Sequence, residues 1–429
     1  MSLRYIYRLI EAFFKRFKAI IIVGVIVGFF VFLAIGILIP SLDSTKEKIG
    51  LSGRYTTDTI PSNITAKISE GLTSVDINGN VGPAIAKSWE SPDGGKTWIF
   101  KINTNKNWQD GKKIKAQDID YEFSDATTEV IGEDTIKYKL NSQFSAFPVI
   151  VSKPIFKSGL IGSGDWKVTK LSLSGGYIQR LDIKDSKSNR ITYKFYPSDD
   201  RLKLSFKLGE VDMINNLQEI DEFMNWKTVN VTKDVGYTNF VGIFFNIDDE
   251  NLKSKELRQS LAYAINKEGF DGERAVGPLS PFSWGYNPQV KPYTYDPEKA
   301  KDAKDTKITL STLPNLLKTA EKIKKDWEAS GITCDIQIVT DVPNNYQAFL
   351  ATVDIPKDPD QYSLWHSTQT ETNISHFKNA RIDKLLEDGR TELDQEIRKK
   401  IYLDFQRFIV EDVPAIFLYH PTFYSVTRK

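Results

Sequence analysis

Residues Ile68–Phe123 read ISEGLTSVDINGNVGPAIAKSWESPDGGKTWIFKINTNKNWQDGKKIKAQDIDYEF, and the fold is decided by how this stretch is read. Pro92-Asp-Gly-Gly95 is a turn signal, and Trp98-Ile-Phe-Lys-Ile102 follows it as a strand, so 85–123 predicts a strand pair. Asp110-Gly111 signals a second turn. Trp89, Trp98 and Trp108 lie on strand-rich segments and are expected to pack rather than to serve as ligand platforms.

Outward from this stretch, strand-like and helix-like segments alternate. Leu316, Ala320, Ile323 and Trp327 fall on one helical face, with Ser330-Gly331 as the stop; Ile332, Cys334, Ile336 and Ile338 then alternate as a half-buried strand. Cys334 sits on the apolar side of that strand and is expected to be a structural thiol. The apolar strand Phe240–Asn246 precedes a helical stripe of Leu257, Leu261, Ala264 and Ile265. Asp394 caps a predicted helix with the inner face Ile397, Ile401, Phe405 and Phe408, and Ala415–Tyr419 follows Pro414 as a strand. Interleaved helices and strands over 235–420 predict α/β layers.

The chain has 429 residues, 40% of them hydrophobic, room for two or three packed domains. Its formal charge is +1, unevenly spread: residues 1–40 carry +4 (Arg4, Arg8, Lys15, Arg16 and Lys18 against Glu11), leaving −3 for the rest. No basic patch of nucleic-acid type stands out, so nucleic acid is set aside as a partner. Cys334 is the only cysteine, which excludes intrachain disulfides and zinc patterns needing two cysteines.

Ala19–Ile39 reads AIIIVGVIVGFFVFLAIGILI without a charge. At about 1.5 Å rise per residue it spans a hydrocarbon core of about 30 Å. All five basic residues precede it, which puts the N-terminus in the cytoplasm and everything after Pro40 outside. The competing reading is a cleaved signal peptide with a small-x-small site at Ala34-Ile35-Gly36, but the apolar run continues past it. Residues 1–42 are therefore expected to be a basic segment and signal anchor, and 43–53 a tether.

Catalytic and metal motifs do not emerge. His366, His376 and His420 lack HExxH spacing, and neither a G-x-S-x-G elbow nor a G-x-x-x-x-G-K-[ST] loop occurs. No cofactor and no metal are expected, and binding is favoured over catalysis.

The opening stretch resembles the N-terminal signature of the family-5 extracellular solute-binding proteins, the peptide- and nickel-binding components of ABC importers. The matching pieces are Glu70-Gly71-Leu72, Pro83-Ala-Ile-Ala-Lys-Ser-Trp89, Asp93-Gly-Gly-Lys-Thr-Trp98 and Trp108-Gln-Asp-Gly111 leading to Ala116-Gln-Asp118. Gly162-Ser-Gly-Asp-Trp-Lys167 resembles the family's Gly-Thr-Gly-Pro-Tyr turn, with Asp165 in place of Pro. Leu208-Gly-Glu-Val-Asp212, Leu257–Asn266, Tyr295–Ala300 and Asn379–Asp383 continue the match over roughly 55–425. The chain departs from the family in two places. It is shorter between Phe123 and Gly162, and its tether is an apolar helix instead of a lipidated cysteine.

The resemblance implies an α/β, two-lobed periplasmic-binding-protein-like fold (type II) with a hinge between lobes, preceded by one N-terminal transmembrane helix. Lobe one would be 54–245, including a small subdomain at about 63–160, and 415–429 returns to it; lobe two would be 246–414. Similar peptide binders hold the ligand's α-ammonium with an aspartate in a Gly-Asp-Tyr-x-Asp-Pro-like segment, here Val353-Asp354-Ile-Pro-Lys-Asp358-Pro359-Asp360-Gln-Tyr362. Asp354 aligns with that anchor; one extra residue before Asp358-Pro359 makes Asp358 its rival, and Asp354 as a plain loop or capping residue stays open. Trp365, His366 and Glu70 complete the ligand-binding candidates, with Trp365 equally placed to be core. The expected protein is a monomer that binds a peptide or other small molecule and passes it to an ABC transporter permease. A same-fold sensor or adhesin is the alternative, and a hydrolase a distant third. Sugar, metal chelate and haem stay open as ligands.

Overall fold

The computed structural model describes residues 15–18, 20, 23–29, 31, 45–343 and 345–429. The expected anchor Ala19–Ile39 lies mostly outside the described residues, as does the competing site Ala34-Ile35-Gly36; its described part, Ile20, 23–29 and Val31, is helical and exposed. Among the described residues no helix is long and apolar enough to cross a membrane.

The chain forms two compact units. One joins the described residues up to Thr59 with Asp165–Met213, and the other joins Ile60–Gly164 with Ile214–Lys429. In the first, Lys46–Ser52 pairs in parallel with Arg190–Tyr196, which pairs antiparallel with Tyr177–Lys184, and that strand with Lys167–Ser174. Leu181, Ile183, Tyr193 and Phe195 are buried on this sheet. The Ser198 hydroxyl caps the helix Asp199–Lys207 by accepting the N–H of Arg201, and Leu202 and Phe206 face inward.

In the second unit the predicted strand pair is present: Ala86–Glu90 and Thr97–Ile102 run antiparallel. Gly94 and Gly95 turn between them at φ +71° and +95°, a region that costs other residues strain. Asp93 accepts the Thr97 N–H at 2.6 Å and Ser91 that of Gly95 at 2.8 Å. Thr135–Leu140 and Ala126–Ile131 extend this sheet, over a core that includes Trp98, Phe100, Trp108 and Tyr138.

The separate sequence motifs meet in space. The Gln109 side chain donates to the carbonyls of Ile68 and Gly164, both at 2.9 Å, and its backbone N–H donates to Gly162 O at 2.9 Å. Gly162 and Gly164 pack so closely on the Lys67-Ile68 backbone that a Cβ at either would overlap a main-chain oxygen. These glycines are scaffold, holding Trp108-Gln-Asp-Gly against the helix end before Glu70.

The remainder of this unit is built on the strand Asn239–Phe245, flanked antiparallel by Ala348–Asp354 on one side and Ala415–Arg428 on the other. Lys307–Thr312 and Thr333–Ile338 continue the sheet in parallel. The helix Leu317–Ala329 buries Ala320, Ile323 and Trp327 as its spacing predicts, and Gly331 at φ +81° turns the chain into the strand holding buried Cys334. Burial pushes that thiol up to about 12, which suits a structural role.

Asp394 caps the helix Gln395–Asp412, accepting the Ile397 N–H at 3.0 Å. Its inner face, however, is turned one position from the expected stripe. Ile397 is exposed and Ile401 and Phe408 are only partly buried, whereas Arg398, Tyr402, Phe405, Gln406 and Ile409 face inward. Two polar side chains are the reason: Arg398 finds a carboxylate inside and Gln406 donates to Gly285 O at 2.7 Å, so neither carries the usual penalty of burial. The strand after Pro414 runs to Arg428 and pairs in its second half with Val229–Val235.

Candidate functional site

Two cavities in the second unit share a wall. One of about 740 Å³ is lined by 75–77, 234–239, Ser280, Phe282 and Phe423, among others. One of about 580 Å³ has a largely apolar lining that includes Phe123, Leu140, Phe144 and Phe147, with Asp358, Asp360 and Arg390. Pro356 and Lys357 line both, so this part of the segment Val353–Asp360 runs between them, while Asp354 is in the lining of neither. A third, about 300 Å³, is lined by Trp89, Trp98 and Trp284 together with Asp358 and Arg398.

The two rival aspartates have opposite surroundings. Asp354 ends the strand Ala348–Asp354 directly opposite Asn239, whose side-chain amide donates to Oδ1 of its carboxylate. It is exposed, and among the described residues no basic group reaches ion-pair distance of it. Asp358 is buried and committed. Arg398 Nη2 lies 2.5 Å from its Oδ1 and Nη1 3.1 Å from its Oδ2, and the Asp360 N–H also donates to it at 2.9 Å. Burial acts to lower the Arg398 guanidinium, but the adjacent Asp358 carboxylate outweighs it, and the net shift is upward. The guanidinium also lies over Trp284 and Tyr402 and donates to Gly389 O at 2.9 Å.

Asp360 lines the apolar cavity with its carboxyl raised by burial, an effect that Arg390, 3.7 Å away, only partly opposes. Lys357 is exposed between the two cavities.

The other candidates lie elsewhere. Trp365 is core: it stacks on Phe244 at 5.8 Å, its indole N–H donates to Gln361, and it lines none of the three cavities. His366 is buried beside it, stacked on Tyr362 at 4.1 Å, with Nδ1 2.8 Å from the Thr368 hydroxyl. Glu70 pairs with Lys106 at 2.5 Å, near the glycine-stitched motifs and away from the cavities' linings. Among the described residues no three His, Cys, Asp or Glu side chains gather as a metal set. Residues passed over in the sequence line the cavities instead, notably Asn239, Tyr237 and Arg390. Asn239 opens the apolar run Phe240–Phe245, and nothing in its spacing singles it out.

A profile of the bacterial extracellular solute-binding proteins, family 5 Middle, matches residues 80–373. The chain belongs to this family of solute-binding proteins. It is 26% identical to the oligopeptide-binding protein AppA of Bacillus subtilis, over 88% of this chain and 85% of the relative. It is 24% identical to the dipeptide-binding protein of Escherichia coli, over 81% and 82%. Among solved structures, AppA of Bacillus subtilis with a nonapeptide superposes at a TM-score of 0.68 with 22% identity, covering 90% of this chain and 95% of that one. NikZ of Campylobacter jejuni with Ni(L-His) superposes at 0.72, also with 22% identity, covering 90% and 94%.

Proposed function

We infer that this chain captures a peptide by its free amino terminus beside Val353–Asp360 and delivers it to an ABC importer without chemical turnover. One contrast carries the reading. The aligned carboxylate, Asp354, is exposed with an amide as its neighbour, while its rival, Asp358, is neutralised by Arg398. A carboxylate with no cation beside it, flanked by Asn239 and Ile355 of the larger cavity's lining, suits an α-ammonium, and closure over the ligand strengthens the pair by removing water. Hydrogen bonds to the peptide backbone would supply contacts indifferent to side chains. The named ligands of the relatives, an oligopeptide and a dipeptide, support the peptide class.

Calorimetric titration of the chain with peptide tests the anchor. Asp354→Asn keeps shape and removes charge, and is expected to weaken binding by tenfold or more, about 1.4 kcal/mol per decade. Normal binding by Asp354→Asn would overturn the assignment. We also read Ala19–Ile39 as a retained membrane anchor, because an uncharged run follows five basic residues. Protein recovered from membranes should keep Arg4 by mass; a soluble form starting near Ile37 contradicts this.

A further inference from the structure

We propose that Asn239 is a positioning residue, which orients the Asp354 carboxylate towards the ligand's ammonium and brings no charge of its own to neutralise it. This rests on Asp354 as the anchor and adds how that anchor is held.

Asn239 and Asp354 are register partners on adjacent antiparallel strands, so the two side chains stand on the same face of the sheet. The amide is set on both sides. Its Oδ1 accepts from the Thr238 hydroxyl at 3.0 Å, which leaves Nδ2 to donate to Asp354 Oδ1. The backbone around it is pinned as well. The carbonyl of Asn239 accepts from His420 Nδ1 at 2.7 Å, its N–H donates to Gly236 O at 3.1 Å, and the Thr238 carbonyl accepts the Ile355 N–H at 2.7 Å. Asn239 also lines the larger cavity.

The chemistry follows from the type of donor. A lysine or arginine at this position would take up the carboxylate's charge, as Arg398 does for Asp358. Here the amide donates one hydrogen bond to the carboxylate and brings no positive charge. With Oδ1 held, Oδ2 is left to accept from an ammonium. The rotamer freedom that Asp354 would otherwise lose on binding is removed beforehand, which is how preorganisation raises affinity.

The test compares two probes on the full chain: a pool of synthetic tripeptides with free amino termini, and the same pool N-acetylated. Asn239→Leu keeps the volume and removes the donor, and Asn239→Gln returns an amide. Asn239→Leu should weaken the free-amine pool by about tenfold to a hundredfold, the scale of one hydrogen bond to a charged group, while leaving the acetylated pool unchanged. Asn239→Gln should recover part of that loss. If Asn239→Leu melts before it can be titrated, Asn239→Ala replaces it with the same expected selectivity. Equal weakening of both pools, or none, overturns the proposal. Asp354→Asn separates the positioning role of Asn239 from the anchor itself. Loss of ammonium preference in Asp354→Asn but not in Asn239→Leu defeats the positioning role alone, and ammonium preference intact in Asp354→Asn defeats the anchor beneath it.

Discussion

Asp358 and Arg398 form a two-point ion pair 40 positions apart in sequence, with only 8% of each side chain exposed. The pair fastens the loop between the two cavities to the helix Gln395–Asp412, so the segment that presents Asp354 rests on a buried charge contact.

Removing one partner leaves the other charge buried and alone. Arg398→Met or Asp358→Asn should each cost about 3–5 kcal/mol of unfolding free energy, read by urea denaturation. The double variant Asp358→Asn/Arg398→Met should cost clearly less than the sum, because both changes delete the same interaction. Additive losses would mean that the two residues act separately.

Gly162→Ala should destabilise the chain by more than ~2 kcal/mol, since the new Cβ overlaps the Ile68 carbonyl, a backbone atom that cannot step aside. Gly111→Ala is the control. Gly111 has a φ of +84° but open space around it, so only the conformational cost of about 1–2 kcal/mol applies. A loss at Gly162 no larger than that at Gly111 would show that the close approach to Ile68 is relieved at little cost.

Much of the fold was legible because its signals are local. The Pro92–Gly95 turn, the Asp394 cap and the Leu316–Trp327 face each depend on residues within a few positions of one another, and each is found. The inner face of Gln395–Asp412 was not legible, since an apolar pattern cannot show that Arg398 meets Asp358 or that Gln406 meets Gly285. The site suffers from the same blindness. Asp354 and Asp358 are equivalent letters in one segment, and only long-range partners, Asn239 for one and Arg398 for the other, tell them apart. Trp365 and His366, close in sequence to both, turn into the packed interior.

His420 predicts a pH dependence. Burial holds its imidazole below the usual 6.5, against the hydrogen bond to the Asn239 carbonyl and the attraction of Glu273; Arg274 adds to the depression. As pH falls through 6.5 the unfolded chain takes up a proton that the folded chain resists, so stability is full above 6.5 and is lost towards the lower folded value. Each unit of depression corresponds to about 1.4 kcal/mol. Urea denaturation at pH 8 and pH 5 should show a larger drop in the wild-type chain than in His420→Gln; parallel drops would exclude His420 as the source.

A peptide with a free amino terminus is expected to occupy the site beside Asp354. Native mass spectrometry of the full chain tests it directly, after incubation with a mixture of peptides, nickel–histidine, haem and oligosaccharide. The predicted result is bound masses that release as peptides with free amino termini, absent when the peptides are N-acetylated. Retention of haem, the nickel chelate or a sugar with peptides left unbound would show that the site does not take peptides.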